Sequence, residues 1–150
     1  MGQARLQVVA PAASEPGLLE QHVGFLLRVA MQRNTAIFSA RMVEGLTQTQ
    51  FAALVRLYEA GPCSQNQLGR LICLDAATIK GVVDRLGARG LITVLADPKD
   101  RRRRAVTLTR RGREATEAAM QVAVEISAET LAPLTVEERR LAMRLLNKLG

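Results

Sequence analysis

Apolar positions along the chain recur first with a helical period. From about Gly17 to Glu44 they fall at Leu19, Val23, Leu26, Ala30 and Ile37, the spacing of one helical face, and Gly45 ends this long first helix. Thr47 with Gln50 forms a capping box that opens a second helix from Gln48 to Ala60, with Phe51, Leu54, Val55 and Tyr58 as its apolar face and Gly61-Pro62 as its stop. Ser64 with Gln67 repeats the box and starts a short helix to about Ile72, anchored by Leu68 and Leu71. Asp75 is the N-cap of a further helix to Arg89, closed by Gly90 in the C′ position. The period then changes. Two β-type runs, Leu91 to Leu95 and Ala105 to Thr109, flank a Pro-containing polar loop and predict a hairpin. Thr109 caps a long helix from Arg110 to about Thr130 with the stripe Ala115, Ala119, Val122 and Ile126, and Pro133 breaks it. Thr135 with Glu138 opens a last helix marked by Leu141, Leu145 and Leu149. Residues 1 to 16, rich in Pro and Ala, have no usable periodicity and predict a loose arm.

The predicted class is therefore mainly α with one small β-hairpin. Short helix, tight turn and longer helix make a helix-turn-helix, and the hairpin after it makes a winged helix. Composition agrees: among 150 residues there is no Trp, one Tyr and three Phe, which favours helices packed through Leu, Val, Ala and Ile.

Charge narrows the function. The formal net charge is +7, and eight of the 21 basic residues lie between Lys99 and Arg113, a localised excess that points to a polyanion. The hairpin loop reads Asp-Pro-Lys-Asp-Arg-Arg-Arg-Arg from Asp97 to Arg104. Planar, weakly hydrated guanidinium groups held out in this way suit the narrow minor groove of DNA. A solvated charge run is the alternative for the cluster taken alone. In the helix before it, Ile79, Val82, Val83 and Leu86 form the inward stripe, while Ala77, Gly81, Asp84 and Ala88 face outward, flanked by Thr78, Lys80 and Arg85. Small residues at Ala77 and Gly81 allow close approach to a major groove, with Thr78, Lys80 and Arg85 in reach of bases or phosphates. Alternatively they are surface residues on an ordinary helix.

Other classes find little support. With one His, no nucleophile-base pair, no metal-ligand spacing and no Gly-rich phosphate loop, the chain is expected not to be an enzyme and to need neither cofactor nor metal. Cys63 and Cys73, ten apart, match no common zinc spacing and are expected to be reduced, partly buried thiols, with a redox pair as the alternative. No run approaches the ~18 apolar residues of a membrane span, and the first sixteen residues lack the apolar core of a secretory signal, so the expected location is the cytoplasm.

Two cations interrupt the first apolar stripe. His22 and Arg33 fall within about 40° of Leu26 on a helical projection. Their partner is a carboxylate elsewhere, a second subunit or an anionic small molecule, because an unpaired buried charge is costly. The first helix and the last two also carry more apolar surface than a winged helix can cover, and a copy of the same chain is the simplest partner.

Asp97 to Arg104 with Val106, Thr107, Leu108, Thr109 and Gly112, together with Leu68 to Leu71, Thr78 to Leu86 and Arg89-Gly90-Leu91, resembles the MarR family of bacterial transcriptional regulators. The resemblance runs from about Leu18 to the C-terminus. It implies a homodimer in which residues 17–46 and 110–150 form the dimerisation region, and in which 47–109 form a winged helix-turn-helix on a pseudo-palindromic operator. It implies that Arg102 enters the minor groove with its guanidinium held by Asp100, beside Lys99 and Arg101. Ser64, Gln65 and Asn66 would touch phosphate, and Ala77, Thr78, Lys80, Gly81, Asp84 and Arg85 the major groove. It further implies a ligand between the dimerisation helices and the winged helix, where aromatic carboxylates or their thioesters bind. His22, Phe25, Arg33 and Phe51 are the candidates for that site. Gly24 to Phe38 is similar to the branch that controls catabolism of aromatic acids, including hydroxylated pyridine carboxylates. The family's peroxide sensors carry a Cys near the start of the first helix, and none stands there. The expected function is a repressor released by a small anionic effector. A DNA-architectural protein without an operator, an activator, and a regulator answering thiol oxidation are the alternatives.

Overall fold

The computed structural model describes residues 17–150, so the predicted arm at 1–16 lies outside the described residues. Six α-helices and one hairpin follow one another: α1 Val23–Arg41, α2 Gln48–Ala60, α3 Gln65–Leu71, α4 Ala76–Ala88, β1 Ile92–Ala96, β2 Arg104–Leu108, α5 Arg110–Thr130 and α6 Val136–Leu149. The chain divides into a unit ending at Arg33 and one from Asn34 to Gly150.

The first helix is shorter than its periodicity predicts. In place of one helix over 17–44, a 3-10 turn at Leu19–Gln21 is followed by an extended His22 (φ −89°, ψ 112°), and α1 starts only at Val23. His22 acts as the cap. Its Nδ1 accepts from the Phe25 N–H at 3.2 Å while its carbonyl accepts from Leu26 N–H at 3.1 Å. A ring that satisfies an orphan N–H at a helix start competes with continuation of the helix, and residue spacing alone does not register that competition. At the other end, Met42 is extended and Val43–Gly45 form a second 3-10 turn in which Glu44 and Gly45 both have φ near 60°. The extended Met42 ends the helix three residues before the predicted stop.

The remaining helices begin where their caps predict. Thr47 and Gln50 form both bonds of the capping box on α2, and Thr135 and Glu138 do so on α6. On α3 only half the box forms: Ser64 accepts from Gln67 N–H at 3.2 Å. The buried face of α2 is centred on Ala53, Leu54 and Leu57, one position round from the predicted stripe. Val55 is half-buried; Phe51 packs edge-on to Phe38 at 5.9 Å, and the Tyr58 hydroxyl donates to Glu117 at 3.0 Å. Leu68 is buried as expected, whereas Leu71 is exposed at the end of α3.

The core of the second unit is built on α4. Ile79, Val82, Val83 and Leu86 are all buried, each contributing roughly 1.5–3 kcal/mol by leaving water. Gly69 lets α3 come close, since a Cβ there would meet Leu74 O and Ile79 Cγ2 at 3.1 Å. Gly90 (φ 68°) turns the chain into an antiparallel hairpin that pairs Ile92 with Leu108, Val94 with Val106 and Ala96 with Arg104. An isolated bridge between buried Cys63 and buried Val106 ties the hairpin to the α2–α3 connection. Where α5 starts, Gly112 lies so close to Leu91 that a Cβ would sit 1.8 Å from its carbonyl oxygen. α5 then buries Ala115, Thr116, Ala119 and Ile126, and leaves Val122 half-buried. α6 buries nothing: Leu141, Met143, Leu145, Leu146 and Leu149 are exposed. No helix among the described residues is long and apolar enough to cross a membrane.

Candidate nucleic-acid interface

The outward face of α4 is pre-set by its cap. The Asp75 carboxylate accepts from the Thr78 N–H at 2.8 Å and from its hydroxyl at 2.9 Å, and these bonds hold its pKa below the usual carboxylate value. The Thr78 hydroxyl proton is therefore committed to the cap. Lys80 pairs with Asp84 at 2.6 Å across one turn, with both side chains largely exposed. Such pairs are worth a few tenths of a kcal/mol and yield easily to a phosphate. The Arg85 guanidinium lies over Gly81, its nitrogens 3.3–3.4 Å from where a Cβ would stand. Ala77 is exposed beside it. At the start of α3, Ser64 is engaged as the cap, Gln65 is half-buried and Asn66 is exposed.

The hairpin tip is a pair of nested aspartate turns. Asp97 Oδ1 accepts from Lys99 N–H at 2.8 Å, and Asp100 Oδ1 accepts from Arg102 N–H at 3.0 Å. Backbone bonds from Asp100 N–H to Asp97 O (3.2 Å), Arg103 N–H to Asp100 O (2.9 Å) and Asp97 N–H to Arg103 O (2.8 Å) close the loop. One expectation is corrected here. Asp100 holds the backbone of Arg102, but the guanidinium it faces is that of Arg103, whose Nε stands 3.5 Å from Oδ2. Its second oxygen is aimed past Arg102, which leaves the side chains of Arg101 and Arg102 exposed with no recorded partner among the described residues. Arg104 instead reaches back over β1 to Val94 O at 3.5 Å.

Of the four candidate effector residues, His22, Phe25 and Arg33 belong to the first unit and Phe51 to the second. His22 is exposed and engaged as a cap, Phe25 carries the Arg28 guanidinium 5.2 Å above its ring, and Arg33 is exposed on α1. Neither cation is buried, so the expected need to neutralise a buried charge does not arise within the described chain. Phe51 belongs to the Phe38 contact. A cavity of about 430 Å3 opens instead between the end of α1, the Val43–Gly45 turn and the start of α2, lined by Phe38, Met42 and Leu46 and by the polar side chains of Thr35, Ser39 and Gln48. Phe51, of the same unit, does not line it. Its polar edge is ordered by Gln48, which donates to Asn34 at 2.7 Å, and by Asn34, which donates to Thr130 at 3.0 Å.

A second cluster has no trace in residue spacing. Glu44 Oε2 receives Arg111 Nη2 at 3.0 Å and stands 3.6 Å from Arg89 Nη2, which also donates to the Glu44 carbonyl. Arg111 Nη1 donates to the Arg89 carbonyl, and Arg89 Nη1 reaches Gln50 Oε1 at 3.4 Å. These residues are 45 and 67 positions apart, and only tertiary structure brings them together. Both cysteines are free thiols; burial raises the pKa of Cys63, while Cys73 is exposed in the α3–α4 turn with φ 57°.

Comparison with known proteins agrees with this geometry. The MarR family model matches residues 46–103, from the start of α2 to the wing tip. The HTH-type transcriptional repressor NicR of Pseudomonas putida is 40% identical over 141 residues, covering 93% of this chain and 89% of that protein. A probable transcriptional regulator from Pseudomonas aeruginosa is 53% identical and superposes with a TM-score of 0.84 over 88% of this chain and 99% of that one. Bordetella bronchiseptica BpsR, whose DNA binding is regulated by 6-hydroxynicotinic acid, is 39% identical with a TM-score of 0.81 over 90% of this chain and 97% of its own. A helix-turn-helix with an arginine-tipped wing and likeness to such regulators over most of its length leaves one assignment: the chain belongs to the MarR family, and is a transcriptional regulator, not an enzyme.

Proposed function

We propose that the protein is a homodimeric repressor that binds a pseudo-palindromic operator and is released by a small aromatic carboxylate. The observation that carries this reading is the succession of an exposed α4 face and a wing whose outermost guanidinium groups, Arg101 and Arg102, have no recorded partner within the described chain. In the reading, α4 enters the major groove through Ala77, Thr78, Lys80, Gly81, Asp84 and Arg85. Arg102 enters the adjacent minor groove, Lys99 and Arg101 take phosphates, Asp100 shapes the tip, and Ser64, Gln65 and Asn66 meet the backbone at the start of α3.

Residues 17–46 and 110–150 supply the dimer contact. Its support is the unburied apolar face of α6, which a second copy would cover. A two-fold dimer spaces its two recognition helices one DNA turn apart, which is why the operator is read as pseudo-palindromic. Cytoplasmic location follows from a DNA partner.

The effector class rests on the likeness to BpsR, whose DNA binding 6-hydroxynicotinic acid regulates, and on cations near the start of the chain. His22 and Arg33 are assigned to its carboxylate, with Phe25 and Phe51 against its ring. An effector of this kind releases DNA only if it binds the DNA-incompetent geometry more tightly than the competent one. The test is operator binding followed by fluorescence anisotropy during titration with 6-hydroxynicotinate and with benzoate as a control. Release of the wild type by 6-hydroxynicotinate, together with an Arg33→Ala variant that binds DNA normally but is not released, is the expected outcome. Release that survives Arg33→Ala unchanged removes Arg33 from the effector site, and no release by either acid removes the effector class.

A further inference from the structure

The cluster of Glu44, Arg89 and Arg111 lies outside the DNA-facing set, yet it grips the end of the helix that the proposed function sends into the major groove. Arg89 is the C-cap of α4. Its carbonyl, one of the last acceptors of the helix, takes a bond from Arg111 at the start of α5. Its guanidinium is bonded to the Glu44 carbonyl and directed at the Glu44 carboxylate and Gln50. The Glu44 carboxylate closes the circuit by accepting from Arg111. Three elements that meet nowhere in sequence are thus joined by side chains at a single helix end: the α1–α2 turn, the exit of α4 and the entry of α5.

The turn itself is built for this contact. Glu44 is one of only two non-glycine residues with positive φ among the described residues. In that conformation its carbonyl and its carboxylate are both presented to arginines. The two residues after it, Gly45 and Leu46, line the cavity.

We infer that Glu44 is a positioning residue for operator recognition, fixing the direction of α4 through Arg89 and Arg111. The inference rests on the reading of α4 as the DNA-reading helix. Base-edge contacts tolerate little misplacement, whereas phosphate contacts are long-range and forgiving. Loosening the clamp therefore lowers affinity for the operator while leaving affinity for unrelated DNA unchanged. A residue that merely stabilised the fold would lower both in proportion to the folded fraction.

The experiment compares the wild type, Glu44→Gln, Arg111→Gln and the double variant on operator and on scrambled DNA, with circular dichroism and stoichiometric DNA titration to fix the folded, binding-competent fraction. Glu44→Gln is expected to reduce the operator-to-scrambled preference about tenfold, the scale of one lost base contact. Because both residues act through one network, the double variant is expected to lose less than the sum of the two singles. Additive losses, or parallel losses on both DNAs with a reduced salt slope for Arg111→Gln, would mean that Arg111 is a phosphate contact, and would overturn the clamp. So would a Glu44→Gln variant as discriminating as the wild type. A wild type that does not discriminate would overturn the functional reading beneath it, and the clamp with it.

Discussion

Asp100 carries two interactions at the wing tip, and they predict a sign that simple electrostatics gets wrong. Its carboxylate accepts from Arg102 N–H and faces the Arg103 guanidinium. Removing a negative charge from a loop that the proposed function turns toward DNA should, by Coulomb's law alone, strengthen binding. If the side chain shapes the turn that aims Arg102, Asp100→Ala weakens operator binding instead. Arg102→Ala is expected to cost about 1–3 kcal/mol of operator affinity without changing the melting temperature. Equilibrium titrations at one salt concentration decide both points. Tighter binding by Asp100→Ala would contradict the turn, and unchanged binding by Arg102→Ala would remove the groove contact.

At the scale of elements, the caps made the fold legible. Thr47, Asp75, Thr109 and Thr135 each mark a helix start that the structure reproduces, because a cap is a local bond between near neighbours and is written in residue order. The inward stripe of α4 was equally legible, since one strongly apolar face has one way to be buried. What spacing missed was non-local. His22 lay at the right angle for the α1 stripe but caps the helix, and the left-handed Glu44 pairs with Arg89 and Arg111, far along the chain. The same distance hid the cavity lining from view: Thr35, Ser39 and Gln48 are unremarkable until two helices and a turn enclose them. The Asp75 cap also carries a pH dependence. Its pKa is lowered in the folded state by the Thr78 bonds, so its contribution is present above the unfolded carboxylate value and is lost as pH falls through the folded one. Asp75→Asn keeps a capping acceptor but cannot titrate. Wild type is therefore expected to lose melting temperature relative to Asp75→Asn as pH falls below about 4. A difference that stays constant from pH 6 to pH 3 would contradict the assignment.

The whole molecule carries an excess of positive charge, +7 overall. Charge alone gives affinity for any DNA, and that affinity falls steeply with salt. In the proposed function a fixed α4 and a shaped wing convert it into preference, which is why helix caps, the Gly112 contact with Leu91 and the proposed arginine clamp belong to one account. The most direct test of that account is the ratio of dissociation constants for DNA from just upstream of the protein's own coding sequence and for scrambled DNA, measured by anisotropy at physiological salt. A preference of about 10³ or more is the predicted result. Equal, salt-sensitive binding to both DNAs would contradict it, and would favour a protein that packages DNA without reading it.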